Sequence, residues 1–206
     1  MQYVRIPFFM TFLKHLIASI FLILTVALPA SCQINTPTSP NHSIDSTGRK
    51  LYLSPQDFWD SLPEPVGYVN DYENLYTDSE EKTLDSLIAG FERKTTIQIA
   101  LITFDTTMTT KDSLEALTLR IANVWGVGQK DKNNGVTIGI CRGYRKMRIQ
   151  NGDGIEKILT DREIKEIIDT AFIPSFKDGK YFEGTLIGVK TLIATLGKNA
   201  EKKSLK

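Results

Sequence analysis

The sequence predicts an α/β domain, a three-layer α/β/α sandwich with a small mixed sheet and helices on both faces. Three observations carry this. Amphipathic segments of helical period alternate with short apolar runs rich in β-branched residues. The order strand, helix, strand implies a crossover and parallel pairing. Two later apolar runs are separated only by Arg142–Arg145, which reads as a hairpin and adds an antiparallel neighbour.

Each element has its own local reason. Thr77 and Glu80 have capping-box spacing, and Leu84, Leu87, Ile88 and Phe91 follow as one apolar stripe. Ile97–Phe104 is a run without polar alternation, as a strand buried on both faces should be. Asp112 with Glu115 opens the next helix, with Leu114, Leu117, Ile121 and Val124 on its inner face. Gly126 or Gly128 stops it. Val136–Cys141 and Lys146–Gln150 are the hairpin strands. Thr160 and Glu163 repeat the capping-box spacing before Ile164, Ile167, Ile168 and Phe172, and Pro174 is read as the stop. Phe182, Leu186, Val189, Ile193 and Leu196 mark the last helix, with Gly197 just beyond it.

The domain therefore covers residues 66–197. Residues 198–206 are a Lys-rich tail. Upstream, residues 32–65 are rich in Asn, Thr, Ser and Pro and read as a tether, because such composition buries too little apolar surface to order itself. Within the tether, Asp57–Leu62 carries Phe58 and Trp59 and is a candidate for local docking.

Residues 1–31 have the layout of an export signal. Arg5 and Lys14 precede the apolar run Leu16–Leu28, and Pro29, Ala30, Ser31 and Cys32 follow. That run is shorter than the roughly 20 residues of a membrane-spanning helix. Small residues before Cys32 resemble a bacterial lipoprotein signal, which makes Cys32 the lipidation site. Ordinary cleavage near Ala30 is the other reading. The lipoprotein reading places the protein outside the cytoplasm, anchored to a membrane in the periplasm or at the cell surface.

Composition excludes several chemistries. The chain carries 25 Lys and Arg against 24 Asp and Glu, for a net charge of +1, so nothing favours nucleic acid. The two histidines are His15, in the signal, and His42, in the tether. No histidine-based triad or structural zinc site is available to the domain. Cys32 and Cys141 do not make a disulfide framework. There is no GxxxxGK[ST] loop, and Asp131 stands where a dinucleotide fingerprint needs its third glycine.

What remains is oxygen donors on glycine-rich loops. Between Trp125 and Glu156 lie Asp131, Asn133, Asn134, Asn151, Asp153 and Glu156, a donor set suited to a hard cation. Asn and Gly also simply make turns. The spacing is not that of an EF-hand, which would need ligands at Ile149 and Thr160. Arg142, Arg145, Lys146 and Arg148 surround the hairpin. They suit either an anionic ligand or a charged edge that resists aggregation.

Several motifs in order, Gly67-Tyr-Val-Asn-Asp71, Trp125-Gly-Val-Gly128, Lys132-Asn-Asn-Gly135, Arg148–Glu156 and Pro174–Tyr181, together resemble the TPM domain. The resemblance covers residues 66–197. It implies an α/β sandwich on the extracytoplasmic side of a membrane and a divalent cation, calcium or similar, held by loop acids. The metal candidates it implies are Asp71, Asn133, Asn134 and Glu156, with Asp153 and Asp161 as further ligands. Many relatives carry Asp-Asn-Gly where this chain has Asn133-Asn134-Gly135, so one carboxylate is missing. Gly135, Gly152, Gly154 and Arg148 are the ligand-binding candidates beside them. Two functions follow from the resemblance. One is an interaction module in assembly or maintenance of membrane protein complexes. The other is a metal-assisted phosphatase acting on phosphoesters, with Asp71 or Glu156 as base.

Overall fold

The computed structural model describes residues 43–44, 50–52 and 54–204, so residues 1–31, read above as an export signal, and Cys32 lie outside the described residues. Two short strands, β1 (Ser43–Ile44) and β2 (Lys50–Leu51), pair antiparallel. Helix α1 (Pro55–Asp60) opens where the Ser54 hydroxyl accepts from the Asp57 N–H at 3.2 Å. The Asp57–Leu62 segment does dock. Phe58 is fully buried and meets Tyr52, Tyr72 and Phe104 edge-on, with ring centroids 4.6, 5.7 and 6.1 Å away. Arg120 lies 5.1 Å from the Trp59 ring and donates to the Trp59 carbonyl at 3.0 Å. Packed structure thus begins upstream of Val66.

The main sheet has four strands in the order β3 (Val69–Asp71), β4 (Gln98–Thr103), β5 (Gly135–Cys141) and β6 (Lys146–Asn151). The first three run parallel and β6 is antiparallel to β5. Helix α2 (Asp78–Thr95) makes the β3–β4 crossover and α3 (Leu114–Trp125) the β4–β5 crossover. Both helices end on residues of positive φ, Thr96 and Gly126. Alternation along β4 sorts the core into two halves. Ile99 and Leu101 pack with Leu84, Ile88 and Phe91 of α2, while Ala100, Ile102 and Phe104 pack with Leu114, Leu117 and Ile121 of α3. Contact across β5 is tight. A Cβ on Gly139 would lie 2.4 Å from the Thr118 hydroxyl oxygen.

The remaining helices cover the α2 face. They are α4 (Asp153–Glu156), α5 (Asp161–Ile167), α6 (Ile173–Lys177) and α7 (Tyr181–Ser204). A π turn, Ile168–Phe172, joins α5 to α6. Both helices with capping-box spacing form the full box, at Thr77/Glu80 and Thr160/Glu163.

Five expectations need correction. The sheet gains β3, three residues too short to show a period. Helix α3 begins after Ser113 rather than at Asp112. Val124 is 57% exposed, because the inner stripe of α3 ends with Ile121 one turn earlier. Pro174 does not end the helical run. The π turn precedes it, and Pro174 occupies the first turn of α6, the part of a helix that tolerates proline. Nor does Gly197 end α7, which continues to Ser204. Asn199 holds the continuation, donating to the carbonyl of Ile158 at 2.8 Å and the carboxylate of Glu163 at 3.0 Å.

Candidate functional site

The residues singled out from the sequence divide between opposite edges of the sheet. Asp71 ends β3 and pairs in register with Thr103 at the C-terminal end of β4. Asn133, Asn134 and Gly135 stand at the N-terminal end of β5, beside Asn151 at the end of β6. With about 3.3 Å per residue, the seven residues of β5 separate the edges by roughly 20 Å. No single ion can reach both.

At the N-terminal edge the glycines serve loop-on-loop packing. A Cβ on Gly135, Gly152 or Gly154 would fall 1.9, 2.4 or 2.0 Å from the backbone oxygens of Val127, Asn133 and Lys132 respectively. Asn133 has φ 45°, and its carbonyl accepts from Gly154 N–H at 3.0 Å. Asn134 is buried. Its amide accepts from Gln129 N–H at 2.8 Å and donates to the Thr96 carbonyl at 2.8 Å, tying the α3–β5 loop to the α2–β4 loop. Asn133, Asp153 and Glu156 do come together, around a cavity of about 250 Å³ that Thr137 also lines. The Thr137 hydroxyl is buried without a hydrogen-bond partner. Asp161 is exposed in the first turn of α5, where the helix dipole accounts for an acid. Arg148 pairs with Glu115 of α3 at 3.0 Å.

The C-terminal edge holds a larger site. Open α/β sheets bind ligands there, beyond the strand ends. A cavity of about 680 Å³ is lined by Asp71, Glu73, Glu81 and Asp105 and by no Lys or Arg. Asp71 accepts from the Tyr76 N–H at 2.8 Å and from the Thr103 hydroxyl, which in turn accepts from the Glu73 N–H at 3.0 Å. Asp105 accepts from the Thr107 N–H at 2.9 Å. Glu73 is buried, and its carboxylate accepts from the backbone N–H groups of Arg142 and Gly143 at 2.8 and 3.2 Å. Burial pushes its carboxyl above the usual range, against the pull of those two N–H groups. Burial likewise raises the hydroxyl of Tyr72, which lines the same cavity with no hydrogen-bond partner.

The donor chemistry decides what kind of cation suits this cleft. Among the described residues no three His, Cys, Asp or Glu side chains converge into a group that holds an ion by themselves. A dehydrated calcium cage of 6–8 protein oxygens is therefore not assembled. A hydrated cation, held by one or two carboxylates through their remaining lone pairs, fits.

Glu73 and Asp105 were not singled out from the sequence. Asp105 follows directly on an apolar strand, the position where the C-terminal edge rule would have found it. Glu73 gives no such signal, since only the fold brings it to Arg142.

A family model described as TPM domain matches residues 69–195. The fold is shared with the N-terminal domain of a P. gingivalis protein, at 27% identity and a TM-score of 0.61, covering 72% of this chain and 94% of that one. It is also shared with protein BA42 of the psychrophilic bacterium Bizionia argentinensis, at 20% identity and a TM-score of 0.54, covering 62% of this chain and 86% of that one. No curated protein matches the chain.

Proposed function

This chain belongs to the TPM domain family, and from that membership together with the acidic cleft we propose an exported, membrane-tethered interaction module that binds a divalent cation. Calcium or a similar hard ion is the ligand class. The role is assembly or maintenance of membrane protein complexes. The supporting observation is the cleft at the strand C-terminal edge, which four carboxylates line and no Lys or Arg lines. Such a surface lowers the local potential and concentrates cations. The cation needs one or two of Asp71, Glu81 and Asp105, and water completes its shell. Glu73 is committed to the β5–β6 turn.

The test is a calorimetric calcium titration of the full chain beside Asp105→Asn and Glu156→Gln. Loss of binding in Asp105→Asn alone supports the C-terminal cleft. Loss only in Glu156→Gln moves the cation to the smaller cavity of Asn133, Asp153 and Glu156. Absence of saturable binding in the unsubstituted chain sinks the cation reading.

One observation favours the enzymatic alternative, a metal-assisted phosphatase. Asp71 shares the cleft with Glu81 and Asp105, as a general base beside a cation site would. Aryl phosphate turnover that disappears in Asp71→Asn supports it. Equal turnover in that variant counts against it.

A further inference from the structure

A second cavity at the same edge has the opposite character. It has a volume of about 700 Å³, within the range of small-molecule sites. Arg142, Arg145 and Lys177 line it, and no acidic side chain does. Lys146 lines it too, but its ammonium donates to the Lys111 carbonyl at 2.8 Å. The chain as a whole has nearly equal numbers of cations and anions, so this clustering does not reflect a general excess. Protection of an edge strand explains charges on β6 and the β5–β6 turn. It does not explain Lys177, which arrives from α6, about 30 residues later in the chain.

The cavity also has apolar walls. Ile140, Met147, Ile173 and Phe176 line it, and the Phe176 and Tyr181 rings lie 4.9 Å apart at 33°. Both sides are held in place. The Glu73 carboxylate accepts from two backbone N–H groups of the turn that carries Arg142 and Arg145. A Cβ on Gly184 would lie 2.6 Å from the Phe176 ring, so α7 fixes that ring closely. The π turn Ile168–Phe172 precedes the helix that presents Ile173, Phe176 and Lys177, and π turns recur at functional sites.

We propose that this cavity binds a small amphiphilic anion, an acidic head group on an apolar body. The head lies among Arg142, Arg145 and Lys177, and the body lies against Phe176, Met147 and Ile173. Glu73 offsets part of the Arg142 charge at 3.5 Å, so the cluster offers roughly two net positive charges. That suits a carboxylate or a phosphate of about two negative charges.

The probes are octyl phosphate, octanoate, octanol and inorganic phosphate, titrated into the full chain while the Gly143 and Gly179 amide resonances are followed. Octyl phosphate or octanoate should shift both amides saturably, and whichever binds identifies the head group. Octanol and inorganic phosphate should bind at least about tenfold more weakly, since each lacks half of the recognised chemistry. The exposed pair Arg145→Gln and Lys177→Gln, made together, should weaken binding by roughly tenfold or more and leave the remaining spectrum unchanged. Octanol binding as well as octyl phosphate, equal binding by the double variant, or no shift with any probe would each overturn the proposal.

Discussion

Glu73 and Arg142 join the two halves of the C-terminal edge: the buried carboxylate accepts the Arg142 backbone N–H at 2.8 Å while its side chain lies 3.5 Å away. Glu73 follows β3 and Arg142 follows β5, with β4 between them. One carboxylate thus pins the turn that separates an acidic cleft from a basic cavity.

Removing it should loosen the turn. Glu73→Ala leaves two N–H groups without an acceptor and should destabilise the fold by about 1–3 kcal/mol in urea unfolding. The pH dependence has a defined sign. The folded-state carboxyl is raised above its ordinary value of 4.5, so the folded state holds the proton more tightly. The stability this contributes is complete below that value and is lost as pH rises through the raised one. Unfolding curves of Glu73→Gln should lack that fall, and an unchanged profile would refute the assignment.

The second capping box should respond in the opposite sense. Glu163 is held below its ordinary value of 4.5 by the Thr160 N–H, the Thr160 hydroxyl and the Asn199 amide. Its contribution is present above 4.5 and is lost as pH falls through the lowered value. Thr160→Ala should cost about 1 kcal/mol at neutral pH, measured by thermal unfolding.

Helix α1 should behave as part of the domain. Phe58→Ala empties a fully buried aromatic site and should cost about 3–5 kcal/mol. A loss below about 1 kcal/mol in chemical denaturation would show that α1 only rests on the surface.

Two glycines should give opposite outcomes. Gly154→Ala drives a Cβ to 2.0 Å from the Lys132 carbonyl and should destabilise by about 1–3 kcal/mol. Gly197→Ala meets nothing within 4 Å in a helix interior and should stabilise by up to about 1 kcal/mol. Melting temperatures of the two variants check both.

Calcium should raise the melting temperature if the acidic cleft takes the ion, because a ligand of the native state stabilises it by mass action. The increment should vanish in Asp105→Asn and survive in Glu156→Gln. The reverse pattern would assign the ion to the N-terminal edge.

Much of the architecture was legible locally. Thr77 and Glu80, or Thr160 and Glu163, mark a helix start because the capping partners are three residues apart, and the structure forms both boxes. Ile97–Phe104 reads as a buried strand because every position must avoid water, and Ile99 through Phe104 are all buried. Two of the misreadings share one cause. Gly197 and Pro174 carry stop signals worth about 1–3 kcal/mol, and the packing of Leu192, Leu196 and Phe172 outweighs them.

Residue types and their spacing alone determined the α/β class, the parallel crossovers, the hairpin and the absence of histidine chemistry from the domain, since each depends on near neighbours or composition. Only the tertiary structure decided which polar residues share a site. It set Asp71 and Glu156 at opposite ends of the sheet, brought Glu73 to Arg142 across β4, and gathered Arg145 and Lys177 around one cavity. Those relationships follow from strand order and register, which are set by burying two apolar faces at once and leave no mark at the individual positions.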